Sequence, residues 1–130
     1  MFDEFEFNDP PEQIITEICG ISLPDDYLEF MRIHDGGMGP VGKYSYMVLF
    51  CLDELVELNL AYSVGDYYPG FVVFGNDGGE MILGYDSNTG KYCAFDECNI
   101  SADEAFYVAD SFLEFLETMD KALGDFSDDI

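Results

Sequence analysis

Two short apolar runs, Met81 to Tyr85 and Lys91 to Phe95, are separated by a segment containing Asn88-Thr89-Gly90. Runs of strand length around such turn residues read as a β-hairpin. A hairpin in mid-chain commits the fold to antiparallel pairing. A third run, Phe71-Val72-Val73-Phe74, ends at Gly75 and reads as a buried strand beside it. Tyr46 to Cys51 is a fourth run of strand length, and the intervening residues 38–45, with Gly39-Pro40 and Gly42, read as loop.

Helical signals lie on both sides of this block. Asp9-Pro10-Pro11-Glu12 has the form of a helix start, with Ile14, Ile15 and Ile18 as a stripe and Gly20 as the stop. A second helix follows Leu23-Pro24-Asp25-Asp26. Tyr27, Leu28, Phe30, Met31 and His34 recur at helical spacing before Gly36-Gly37. Asp53 is placed to cap a short helix carrying Leu55, Val56, Leu58 and Leu60. The last helix begins at Asp110 or Ser111, where Ser111-x-x-Glu114 has the capping-box form, and Gly124 is its expected end. Helices around a strand block with hairpin connections specify an α+β fold: a mostly antiparallel central sheet flanked by helices.

The chain of 130 residues is expected to be one domain, with a core over about 10–123 and an acidic tail over 125–130. It carries 28 acidic and 4 basic residues, a formal net charge of −24. That excess excludes bulk attraction to nucleic-acid phosphates or to an anionic membrane. The 48% hydrophobic and 16% aromatic content separates the chain from disordered acidic sequences. No apolar run reaches the ~18 residues of a membrane span. Met1 to Glu6 holds three acids and no base, unlike a signal peptide. A cytoplasmic location is therefore expected, with Cys19, Cys51, Cys93 and Cys98 as reduced thiols in the core. Self-repulsion favours a monomer.

Catalytic and metal-binding patterns are sparse. Gly75-Asn76-Asp77-Gly78-Gly79-Glu80 lacks the lysine of a phosphate-binding loop, and its acids repel phosphate, so it reads as a tight turn. Asp86-Ser87-Asn88 opens like a calcium loop, but Gly90 and Lys91 stand where a donor and the required glycine belong. No Cys-x-x-Cys is present, and His34 is the only histidine. His34 falls at a helix end, a position for capping or packing rather than for a base. No enzyme, cofactor or metal is expected.

Four ordered elements resemble the SUKH superfamily, which includes the yeast cell-wall-assembly regulator and many bacterial toxin-immunity proteins. They are Leu23-Pro24-x-x-Tyr27-x-x-Phe30 with His34-Asp35-Gly36-Gly37; Leu49-Phe50 leading into Asp53-Glu54-Leu55; the strand 71–74 with Gly75-Asn76-Asp77-Gly78-Gly79; and Ala109 to Leu116. Together they span about residues 10–120. Asp35 stands where the family usually has asparagine, and Glu80 where many members continue with glycine. The resemblance implies an α+β fold in which Leu23, Pro24, Tyr27, Phe30, Gly36, Gly37, Gly75, Gly78 and Gly79 are structural. It also implies that many bacterial members bind and neutralise a co-produced toxin, often a nuclease.

Two functions stay open from the sequence: an immunity protein for a basic toxin domain, or a regulatory or scaffolding module of the same fold. A strongly negative chain would steer a cationic protein partner. Asp66-Tyr67-Tyr68, Asp77, Glu80 and Asp86 are the candidate contact residues, because tyrosines beside acids can anchor arginine or lysine; the alternative is that Tyr67 and Tyr68 cover the core and the acids solvate loops. The charge is not concentrated there. Residues 1–20 and 101–130 hold 15 acids and one lysine, and the central 80 residues hold 13 acids and three bases.

Overall fold

The computed structural model describes residues 1–128, the side chains of 102 and 126–128 excepted. Seven antiparallel strands form one sheet in the order β1-β4-β5-β6-β7-β8-β9. These are β1 (Glu6–Phe7), β4 (Gly37–Val41), β5 (Ser45–Leu49), β6 (Phe71–Asn76), β7 (Met81–Asp86), β8 (Lys91–Asp96) and β9 (Phe106–Ala109). A separate two-stranded ribbon joins β2 (Glu17–Ile18) to β3 (Ile21–Ser22). The helices are α1 (Asp25–Ile33), α2 (Leu55–Ala61), α3 (Val64–Tyr67) and α4 (Phe112–Asp128). The sequence-based fold class is thus the observed one, and the 81–95 hairpin forms with Gly90 N–H donating to Asp86 O at 2.8 Å.

Four local expectations change. Residues 10–16 are not helical, and Ile18 is a strand residue. The β-branched run Ile14-Ile15-Thr16 disfavours helix, and Cys19 and Gly20 both take positive φ, 51° and 82°, to turn the ribbon. Such a pair of positive-φ residues is a hairpin turn, so Gly20 reverses a strand rather than ending a helix. Residues 38–45 are largely strand. Gly37 and Gly39 let the β1 segment lie close, since a Cβ on Gly39 would sit 3.0 Å from Phe5 Cα. Pro40 is tolerated because β1 pairs only with Gly37 and Met38, which leaves β4 an edge strand at that point.

At the short helix α2, Asp53 is not the cap. Glu54 Oε1 accepts from Cys51 N–H at 3.1 Å, and Asp35 Oδ1 accepts from Leu52 N–H at 2.8 Å, around a single 3-10 turn, Leu52–Glu54. Finally, α4 runs through Gly124 to Asp128. There the missing side chain admits the Tyr44 ring, 2.6 Å from where a Cβ would lie. Of the expected acidic tail, 125–128 continue this helix, and 129–130 lie outside the described residues.

Alternation along the strands splits the core in two. On one sheet face, Val41, Met47, Leu49, Val72, Phe74, Leu83 and Tyr92 pack against α1 and α4. Tyr27 stacks on Phe74 with ring centroids 4.7 Å apart. On the other face, Phe71, Val73, Ile82, Cys93 and Phe95 pack with Val64 of α3 and with Ile100. Asn59 pins α2 to strand β6. Its amide donates to Leu55 O and Val73 O and accepts from Val73 N–H, at 2.8–2.9 Å. The Val73 groups are free for it because the β6–β7 register shifts between Val73 and Gly75.

Candidate functional site

The expected contact residues fall into two places. Asp66 and Tyr67 are exposed on α3, and Tyr67 is 67% exposed. Tyr68 and Asp86 are committed to each other: the phenol donates to Asp86 Oδ2 at 2.7 Å, and Asp86 Oδ1 also accepts from Asn88 N–H at 2.9 Å. That hydrogen bond, then burial, holds the Tyr68 phenol above its ordinary pKa. Asp86 is buried, so it is a turn residue and not a free acid for a partner. Asp77 and Glu80 sit at the opposite end of the β6–β7 pair, about 16 Å away at ~3.3 Å per strand residue. Asp77 Oδ1 ties the turn by accepting from Gly79 N–H (2.8 Å) and Met81 N–H (3.2 Å), while Glu80 is exposed. The six residues therefore do not form one surface.

A different acid carries much of the architecture. Asp26, in the first turn of α1, accepts from Tyr27 N–H at 2.9 Å, Tyr92 O–H at 2.5 Å and Phe112 N–H at 2.7 Å. One carboxylate thereby joins α1, β8 and the start of α4. Burial first, then the bond to Asp26, pushes the Tyr92 phenol well above its usual range, so it stays a donor. Ser111 completes the α4 start, its hydroxyl accepting from Glu114 N–H at 3.1 Å. Nothing in the sequence separated Asp26 from the 27 other acids, because two of its three partners come from 66 and 86 residues away.

Nucleophilic chemistry is poorly supported among the described residues. Burial, then the Glu54 hydrogen bond and nearby acids, pushes the Cys51 thiol up to about 11, and burial with Asp86 pushes Cys93 up to about 12. Both are thiols at neutral pH rather than reactive thiolates. Cys19 and Cys98 are exposed, which corrects the expectation that all four cysteines lie in the core. His34 caps α1 through its backbone and stacks on Phe7, centroids 4.0 Å apart. Asp35, Cys51 and Asp53 bring one potential ligand atom each within 4.8 Å of one another. Two of them serve the 3-10 turn: Asp35 accepts from Leu52 N–H, and the Cys51 sulfur accepts from Glu54 N–H.

The positions named by the resemblance fall in α1, its entry and its exit, and around the β6–β7 turn. Leu23 and Tyr27 are buried, Pro24 is the N-cap of α1, and Phe30 packs on Phe112 at 5.3 Å. Gly75 and Gly78-Gly79 form the end of β6 and its turn, where Asn76 Oδ1 accepts from Gly78 N–H at 2.8 Å. A family model described as the SMI1 / KNR4 family (SUKH-1) matches residues 12–118. The chain belongs to this family. No curated protein matches it. The SUKH-1 match runs from the segment before β2 into α4, so it takes in the Asp26 junction and both faces of the sheet from β4 to β9. Membership places the chain in a family that includes toxin-immunity proteins and points to protein–protein interaction. No described helix is long and apolar enough to cross a membrane.

Proposed function

We propose that this SUKH-1 protein is an immunity protein that binds a co-produced toxin domain with a cationic surface and neutralises it by contact. The family match over residues 12–118 carries the reading. The net charge of −24 supports it, since such a field accelerates encounter with a basic partner and suppresses encounter with polyanions. Binding, not catalysis, is the proposed activity, and the protein is proposed to act in the cytoplasm as a single domain and a monomer.

Co-expression with the toxin domain encoded beside its gene tests this. Rescue of growth together with a complex that weakens as salt rises is the expected result. Absence of both rescue and complex overturns the reading. A pull-down dominated by housekeeping proteins then favours a regulatory or scaffolding module.

A further inference from the structure

Strand register places Glu6, Met38, Val48, Asn76, Ile82 and Phe95 side by side across six strands on one face of the sheet. The Ile82 and Phe95 end of this row is sealed by α3 and the segment around Ile100. The other end is open: Met38 is 49% exposed and Val48 is partly exposed. The neighbouring row is Pro40 paired with Tyr46, and Tyr46 is 43% exposed. An antiparallel sheet facing water ordinarily places polar residues outward. Here all four outward positions of β4 and β5, Met38, Pro40, Tyr46 and Val48, are non-polar or aromatic, in a chain of which 25% is charged. A depression of about 320 Å³ opens beside them, walled by Phe50, Leu58 and Glu54.

We infer that this open half-face is the docking surface for the cationic partner, an assignment that rests on the binding reading above. Charge selects the occupant. Glu6 lies in the row itself, Glu54 lines the depression, and the Asp77-to-Glu80 turn borders Tyr46, whose ring lies 3.1 Å from where a Cβ on Gly78 would be. Lys43, in the β4–β5 turn, is the one base from Ile33 to Gly90, and none stands before Arg32. An apolar centre of methionine and tyrosine with an acidic rim fits a protein surface that presents an apolar side chain flanked by arginine or lysine. A second copy of this chain fits poorly, because it brings another net −24.

Two experiments on the full chain decide the matter. In the first, hydrogen exchange is measured with a synthetic peptide alternating arginine with leucine and tryptophan, and with its glutamate-for-arginine counterpart. The basic peptide is expected to protect amides of residues 38–48. Tyr46→Asp should weaken its binding by about 30-fold or more, as for a central interface anchor, with the milder pair Met38→Gln and Tyr46→Ser as a check if the charged variant unfolds. Protection elsewhere, no protection, equal binding of the acidic peptide, or a concentration-dependent dimer formed through this face would overturn the assignment. In the second, the same variants are combined with the toxin domain encoded beside the gene. Loss of the complex in Tyr46→Asp, with its retention in Leu113→Asp on α4, is expected. A complex that survives Tyr46→Asp overturns the surface and leaves the immunity reading standing. A wild type that ignores the toxin overturns the immunity reading, and the peptide measurement still decides the surface.

Discussion

One row of side chains changes character along its length. At its β7–β8 end, Ile82 and Phe95 are fully buried under α3; at its β1–β5 end, Glu6, Met38 and Val48 meet solvent. The strand chemistry is similar at both ends, aliphatic or aromatic residues at alternate positions of antiparallel strands. The difference comes from coverage. The chain between β5 and β6 forms α2 and α3, and Asn59 pins that connection to Val73. The β4–β5 connection is only a short turn, Gly42 to Tyr44, which has no bulk to fold back over its own strands. The opposite sheet face is covered on both halves, because α1 and α4 span it. An apolar strand position thus serves as core or as candidate interface according to the length of the connection beside it.

Truncating the two ends of the row gives the largest expected contrast. Ile82→Ala should cost about 2–5 kcal/mol in urea unfolding, and Val48→Ala less than about 1 kcal/mol, because only the first opens a cavity. Equal costs would show that the β4–β5 half is covered in solution. Asn59→Leu removes the pin to Val73. It leaves the Val73 N–H and C=O without partners and should cost about 2–4 kcal/mol, with faster hydrogen exchange in β6 but unchanged exchange in β4.

The open half depends on a different tether. Asp120 of α4 accepts from Tyr44 N–H at 2.6 Å, Ser45 N–H at 2.9 Å and Lys43 N–H at 3.2 Å. Burial raises its pKa, but the bonds from Tyr44, Lys43 and Ser45 outweigh burial and leave it lowered. A carboxylate lowered in the folded state contributes stability that is full above its unfolded value of about 3.9. That contribution is lost as pH falls through the lowered folded value. Asp120→Asn should cost about 1–2 kcal/mol at neutral pH, and the gap from wild type should narrow as acid is added. A gap that stays constant with pH would exclude the charge as its source.

The smallest effect is expected beneath both halves. The Tyr27 hydroxyl is buried without a hydrogen-bond partner among the described residues. Tyr27→Phe keeps the stack on Phe74 and removes that orphan group, so stability should stay within about 0.5 kcal/mol or rise. A clear loss in thermal midpoint would show that the hydroxyl is satisfied in solution.

Much of the fold was legible from local pattern. The 81–95 hairpin, α1 after Leu23-Pro24, and the Ser111 start of α4 each have turn or capping chemistry within a few residues of the element they set. The errors have a common cause in distant partners. Gly37 reads as a helix stop and Gly39 as loop until β1 lies against them, and Gly124 reads as a stop until Tyr44 packs on it. The candidate contact residues fared similarly. Tyr68 and Asp86 read as contact residues, with core cover as the alternative for Tyr68, and they hydrogen-bond each other across 18 residues.

Met38, Pro40, Tyr46 and Val48 were hidden for another reason. Their signal is the lack of a charge at four outward positions, which means something only once the register defines outward. The sequence alone determined the α+β class and the acidity, because periodicity and net charge are sums over local residues. Only the tertiary structure decided which of 28 acids holds three elements together and which half of one apolar sheet face stays open. Both depend on which distant segments meet, and no local pattern encodes that.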